Sequence, residues 1–404
     1  MLNSWRGPGP GPRHIGREAL KAPANADACG NRRGIMRRGH FSAVVMVTML
    51  TASACSGTQP GGEGPGPATS QPVEAGPSTP TAASSRWPDR LPPGGSFADS
   101  SGLVTFVDGD AWLPVGSDLA RVDGDGKPLL KSHLMRVDVA TGKFTARVRL
   151  SSNASTGAGE PSFAMGDSVV VRTEDGAEVI STQTLRRKRK LPGGKAYAFG
   201  SIWDIREGPS DGQVLIRIDP TSGKITGRLP TLGKGGYYDA ASDFTVGAGA
   251  VWVGMPDQTV VRVDPKTMRP IATIQLDKAG ATYSKPDVAM GFGYGAVWAN
   301  QMFNGPGKLY RIDPATNQIT NSASLGDPTA GAAGVDSNLA FGKNSVWTCD
   351  SSNKLTQVDA TTGEVQSVRS QPLDLCERVS VGGGSIWLSN DARSEQPTTV
   401  RIQL

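Results

Sequence analysis

Residues 244–276 read FTVGAGAVWVGMPDQTVVRVDPKTMRPIATIQL, and weakened copies of this pattern recur along the chain from about residue 101 onward. Within it, four short runs rich in Val, Ile, Thr and Trp are separated by turn residues, which is the periodicity of strands and hairpins. Gly247, Ala248 and Gly249 make the first turn. Asp264-Pro265 makes another: Pro presets one φ angle and cannot donate to a continuing ladder, while the Asp carboxylate accepts from backbone N–H groups just ahead.

The order of glycine turn, hydrophobe-Trp, Arg-(Ile/Val)-Asp-Pro and returning strand reappears at Trp298 with Arg311, Asp313 and Pro314, and at Trp203 with Arg217, Asp219 and Pro220. Weaker copies carry Trp112 with Arg136 and Asp138, Trp347 with Gln357 and Asp359, and Trp387 with Arg401. A copy without Trp fills the double spacing between Trp112 and Trp203, with strands at 167–171 and 179–182. That makes seven repeats spaced by about 33 to 58 residues. A period near 40 residues with four strands per unit is the mark of a β-propeller. The expected fold is therefore all-β, a seven-bladed β-propeller, with six blades as the alternative count. The Trp of each unit is expected to pack between blades, because a lone four-stranded sheet cannot bury both of its faces.

The repeat resembles that of YVTN/NHL-type propellers, and most of all that of streptogramin (virginiamycin B) lyase-like proteins, over residues 101–404. The resemblance is carried by the glycine turn before the Trp and by the Asp-Pro-x-Thr-(Gly/Asn) turn after the third strand. It implies the fold, and leaves lyases, lactonases and binding modules all open.

Ahead of the repeats, residues 1–54 read as a leader. Met36 is the expected true start, followed by a basic segment, an apolar run at 41–54 too short to span a membrane, and Ala52-Ser53-Ala54-Cys55. Cys55 in that setting resembles a bacterial lipobox and is the expected lipidation site, which would place the chain on the outer face of the bacterial cell membrane, exported and anchored. Of the 42 basic and 37 acidic residues, 8 and 2 precede Cys55, leaving 34 against 35. The basic balance thus belongs to the leader, and no nucleic-acid partner is expected. Residues 55–84, rich in Gly, Pro and Ser, read as a disordered tether.

The propeller domain then spans 85–404. The last repeat ends after its third strand, so the segment at 85–96, around Trp87, is expected to pair with the last blade, held to an edge position by Pro88, Pro92 and Pro93. In an oxidising compartment the two remaining cysteines, Cys349 and Cys376, emerge on one face of the propeller and are expected to form a disulfide.

The loops after the second strands and between blades form the face where propellers bind. Candidate binding residues there are Tyr237, Tyr238, Asp239, Tyr283, Lys285, Asp287, Asn300, Gln301, Asp336, Asp350, Arg378 and Asn390. Aromatic and amide groups converging on a funnel suit a pocket. The lyase-like relatives use histidine, an acid and magnesium, whereas His133 is the only histidine after the leader and falls in a third strand. No catalytic set is assembled from it, no cofactor is expected, and a divalent metal enters only if the chain is an enzyme. Two smaller signals are Asp123-Gly124-Asp125-Gly126, read as a turn insertion rather than a calcium loop, and the run 186–190, read as a charged blade edge or a contact to anionic polymer or lipid. The function expected is a monomeric, non-enzymatic binding propeller for a protein, peptide or envelope polymer. A lyase- or lactonase-like enzyme is the alternative, and an extracytoplasmic sensor or scaffold a third reading.

Overall fold

The computed structural model describes residues 90–91, 94–98, 103–115, 132–151, 162–173, 175–207, 213–229, 243–255, 257–277, 287–302, 307–325, 338–349, 354–373, 376, 378–390 and 398–404. The leader, Cys55, the tether, Trp87 and the 123–126 turn lie outside them. Among the described residues are 28 strands in seven four-stranded antiparallel sheets. The chain is a seven-bladed β-propeller. Blades one to six run from first to fourth strand over 105–149, 163–191, 196–228, 243–275, 287–325 and 340–369, and the seventh takes its first three strands from 378–403.

The fourth strand of the seventh blade is Ser96–Ala98, paired antiparallel with Val400, Thr399 and Thr398. The pairing reaches back into the 85–96 segment, since Gly94 N donates to Arg401 O at 2.6 Å and Arg401 N donates to Gly95 O at 3.1 Å. Pro92 and Pro93, which lack the N–H that a ladder needs, come just before it. Leu91 is fully buried, donates its N–H to Gly142 O and packs among Leu113, Val137 and Trp387 of the first and seventh blades.

The repeated Trp side chains are all buried, and each faces the next blade. Trp252 packs with Val297 and Ile312, Trp298 with Val346 and Val358, and Trp387 with Ala111 and Val137. Because the last of these joins seventh blade to first, the apolar clusters close into a ring. Five indoles also donate to a backbone carbonyl five residues earlier: Trp203 to Ala198, Trp252 to Gly247, Trp298 to Gly293, Trp347 to Gly342 and Trp387 to Gly382, at 3.0–3.4 Å. The spacing follows from the hairpin, whose turn brings the end of the first strand back over the Trp. Glycine at that carbonyl has a steric reason too. A Cβ on Gly247 would overlap the Phe292 ring and one on Gly293 the Phe341 ring, so each blade slides close against its neighbour only where the side chain is missing.

The Arg of the Arg-(Ile/Val)-Asp-Pro motif pairs across strands with the Trp and lies over its ring, with Arg262 5.0 Å from the Trp252 centroid and Arg401 5.2 Å from that of Trp387. Its guanidinium then reaches the turn of the next blade. Arg217 donates to Pro265 O at 2.8 Å, Arg262 to Pro314 O and Asn317 Oδ1 at 2.9 Å, Arg311 to Ala360 O, Arg136 to Thr182 O, and Arg401 to Val139 O. Five joints therefore carry the same latch. At the second joint Val170 and Val179 stand where Trp and Arg stand elsewhere, and the pairing of Arg172 and Arg206 with Asp204 bridges the blades instead. At the sixth, Gln357 replaces the Arg and turns back to Ser345 and Ser367 of its own blade. That joint holds the disulfide between Cys349 and Cys376, with Cα atoms 5.8 Å apart.

Candidate functional site at the inner-strand ends

First strands of neighbouring blades lie beside one another around the axis. All run the same way, so the residues that open them, and those that close the antiparallel second strands, share one face of the disc. Topology thus places the sequence candidates on a common face, and the side chains near the axis decide its chemistry.

Of the twelve candidates, Tyr237, Tyr238, Asp239, Tyr283, Lys285, Asp336 and Asp350 lie outside the described residues. Asp287 opens the first strand of the fifth blade opposite Met302. The four others are buried supports of the face. Gln301 accepts from the Tyr310 hydroxyl at 3.1 Å and donates to Asp277 O at 3.4 Å. Burial, with Asp277 nearby, pushes the Tyr310 hydroxyl up to about 12, so it stays a donor. Asn300 faces the sixth blade, its Nδ2 3.5 Å from Thr348 Oγ1, while its Oδ1 has no hydrogen-bond partner among the described residues. Asn390 accepts from Thr398 N at 2.6 Å and closes its own hairpin. Arg378 opens the seventh first strand with 6 % of its surface exposed.

Arg378 has a counterpart that reading along the sequence missed. Asp243 opens the first strand of the fourth blade, and its Oδ2 accepts the Met290 N–H of the fifth at 2.9 Å. Protein surrounds this carboxyl, while the residue as a whole is half-buried. Desolvation raises its pKa, opposed by the positive charges of Lys195, just before the third blade's first strand, and Arg378. Asn338 belongs to the same level, bonding Val379 N at 2.8 Å and Val379 O at 2.7 Å. Asp243, Asn338 and Arg378 each lie nine residues before the Trp of their blade. Aligning the repeats on Trp would have brought them together, whereas "SDF", "SNL" and "ERV" read singly look like loop ends.

The site therefore presents one desolvated carboxyl in the field of two cations, above a layer of buried amides. This suits a ligand bearing both an acid and a base, or a polar peptide. Among the described residues no group of three or more His, Cys, Asp or Glu is placed to hold a metal ion, and two cations beside Asp243 oppose a divalent ion there. His133 opens the third strand of the first blade opposite Val115, which closes the second strand, so it lies one strand further out at the same face, with Nε2 3.0 Å from Arg147.

These carboxylates predict an acid limb. Asp138, Asp219, Asp264, Asp313 and Asp359 sit in the turns after the third strands, and backbone N–H bonds hold each below the usual carboxylate range. A carboxyl lowered on folding stabilises above its unfolded pKa, near ~4, and that contribution is lost as pH falls through the folded value. Thermal stability should hold from neutrality to about pH 4 and then drop. Asp243 has the opposite sign, since its raised carboxyl costs stability once ionised. Asp243→Asn should melt higher than wild type at neutral pH, with the difference closing in acid; a variant that melts lower at neutral pH would contradict the assignment.

Comparison with known proteins places the fold and no more. No family model matches the chain, and no curated protein matches it. Among solved structures, the Myceliophteria thermophila Cps50 (Swd1) beta-propeller domain superposes with a TM-score of 0.53 at 11% identity, covering 76% of this chain and 98% of that one. A chain of a mitotic checkpoint complex gives 0.51 at 11% identity, over 82% and 97%. BamB from Moraxella catarrhalis gives 0.46 at 13% identity, over 78% and 91%.

Proposed function

We propose that this chain is an exported β-propeller, held at the outer face of the bacterial membrane through Cys55, that binds a protein, peptide or envelope polymer on the face where the first strands begin and does so without catalysis. The observation that carries the reading is Asp243. Its carboxyl opens the fourth blade's first strand, where ionising it costs folding energy, in the field of Lys195 and Arg378, and a packing role alone would favour an apolar residue. The repeated Trp, Arg and Asp residues support it as well, because they are consumed in holding blades together and leave recognition to the loops. The YVTN/NHL and streptogramin lyase likeness of the repeat is kept as the enzymatic alternative. Against that alternative stands the setting of His133, one strand out from the inner strands and with its Nε2 3.0 Å from Arg147.

The test uses whole cells. With a photocrosslinker at Asn304, in the loop after the fifth blade's second strand, the wild-type chain should give one dominant adduct by mass spectrometry. Arg378→Gln, if it melts like wild type, should reduce its yield about thirtyfold or more, the scale expected when truncating one partner of a buried charge contact costs about 2 kcal/mol or more. Cys55→Ser should move the protein from the membrane fraction to the soluble one. No adduct, or equal adducts in both variants, would remove the binding reading; unchanged fractionation would remove the anchor.

A further inference from the structure

The outer strands carry charge very unevenly. Across 143–150, 185–191 and 224–228, which cover the outer strands of the first three blades, stand ten Lys or Arg and no acid. The outer strands of the other four blades, at 269–276, 318–325, 364–369 and 96–98, hold two cations and one acid. Protecting an edge from strand addition needs one or two charges, and the fifth and seventh blades manage with none. Ten cations on three adjacent blades exceed that need.

The patch is continuous and only partly neutralised. Arg187 pairs with the fully buried Glu178 at 2.7 Å, and Glu178 also accepts from Ser151 N, two residues beyond Arg149 of the first blade. The first two rims therefore meet at one carboxylate. Lys188 pairs with Asp167 at 2.6 Å. Arg189 lies in the field of Asp219 of the third blade, whose turn abuts the end of the second blade's outer strand through Gly223 and Pro192. The buried Nε of Arg189 nonetheless finds no acceptor among the described residues. Arg186 and Lys190 are exposed.

We propose that this rim is a binding track for a linear polyanion of the phosphodiester type. Side chains on one face of a strand repeat every ~7 Å, so each blade edge offers a ladder of cations rather than a point charge. The rim of a disc is convex: a flat bilayer touches it along one blade, while a flexible chain follows three. With 34 basic against 35 acidic residues after the leader, attraction to a polyanion has to come from this local surface and not from the net charge.

Binding of poly(glycerol phosphate) to the protein produced from Cys55→Ser tests it. Affinity should fall linearly with the logarithm of salt concentration as counterions are released. Arg186→Gln/Arg189→Gln/Lys190→Gln, which leaves both ion pairs of the strand in place, should lower that slope by about two and the affinity by roughly a hundredfold at about 0.1 M salt. Arg269→Gln/Arg369→Gln should bind as wild type, and both variants should melt like it. Absence of salt-dependent binding, equal binding by the triple variant, or binding to phosphatidylglycerol vesicles alone would overturn the proposal; tight binding of polyglutamate in preference to poly(glycerol phosphate) would overturn its polymer class.

Discussion

Trp298→Ala is expected to destabilise the propeller by about 3–5 kcal/mol, the range for deleting a buried aromatic from a packed interior. Trp298 is 1 % exposed and fills the joint between fifth and sixth blades with Leu309, Val346 and Val358. The substitution also frees Gly293 O from its indole donor and leaves Arg311 without the ring beneath it, 6.0 Å away. Trp298→Phe separates these terms. It keeps most of the apolar volume and loses the indole N–H, so it should cost appreciably less than the alanine. Trp112 is the internal control, because its Nε1 has no hydrogen-bond partner among the described residues. Trp112→Phe should therefore be cheaper than Trp298→Phe by about 1 kcal/mol, the net worth of one such bond. Urea unfolding of the three variants would check the order, and equal costs for the two phenylalanine variants would show that the indole bonds contribute nothing.

Cys349→Ala/Cys376→Ala is expected to lose about 3–4 kcal/mol. The bridge closes a loop with a sequence separation of 27, and a crosslink of that length limits the unfolded chain by roughly that amount. The site matters as much as the length. Both cysteines are buried in the cluster that joins the sixth and seventh blades, the joint where Gln357 turns inward instead of latching to the neighbour. Reductant should lower the melting temperature of the wild type and leave that of the double variant unchanged. Gln357→Arg in the cysteine-free background should recover part of the loss by restoring the latch. If reductant shifts both proteins alike, the bridge is not what holds this joint.

Much of the fold was legible because its determinants are local and repeated. A Gly three to five residues before each Trp, an Asp-capped turn after the third strand of five blades, and alternating apolar residues between them dictate four strands per unit wherever they occur. The copy lacking Trp could be counted for the same reason, since Val170 and Val179 keep the period even though the side chains differ. The charged outer strand of the second blade and the place of His133 in a third strand followed directly from that count.

The candidate face was less legible. Asn300, Gln301 and Asn390 look like loop groups in the sequence, yet their side chains are buried and hold neighbouring strands. Asp243 and Lys195 were passed over as strand flanks.

What the sequence by itself determined is the number and kind of the blades, because every signal for them lies within a dozen residues of the structure it specifies. What only the tertiary structure decided is which residues face one another across the ring: Arg262 against the next blade's Pro314, Gly247 against Phe292, and Asp243 in the field of Arg378. Those contacts span from about 45 to about 135 residues. Nothing in the local pattern encodes them. They arise because flat sheets with one apolar face must each find the next, and the ring closes only when the last meets the first.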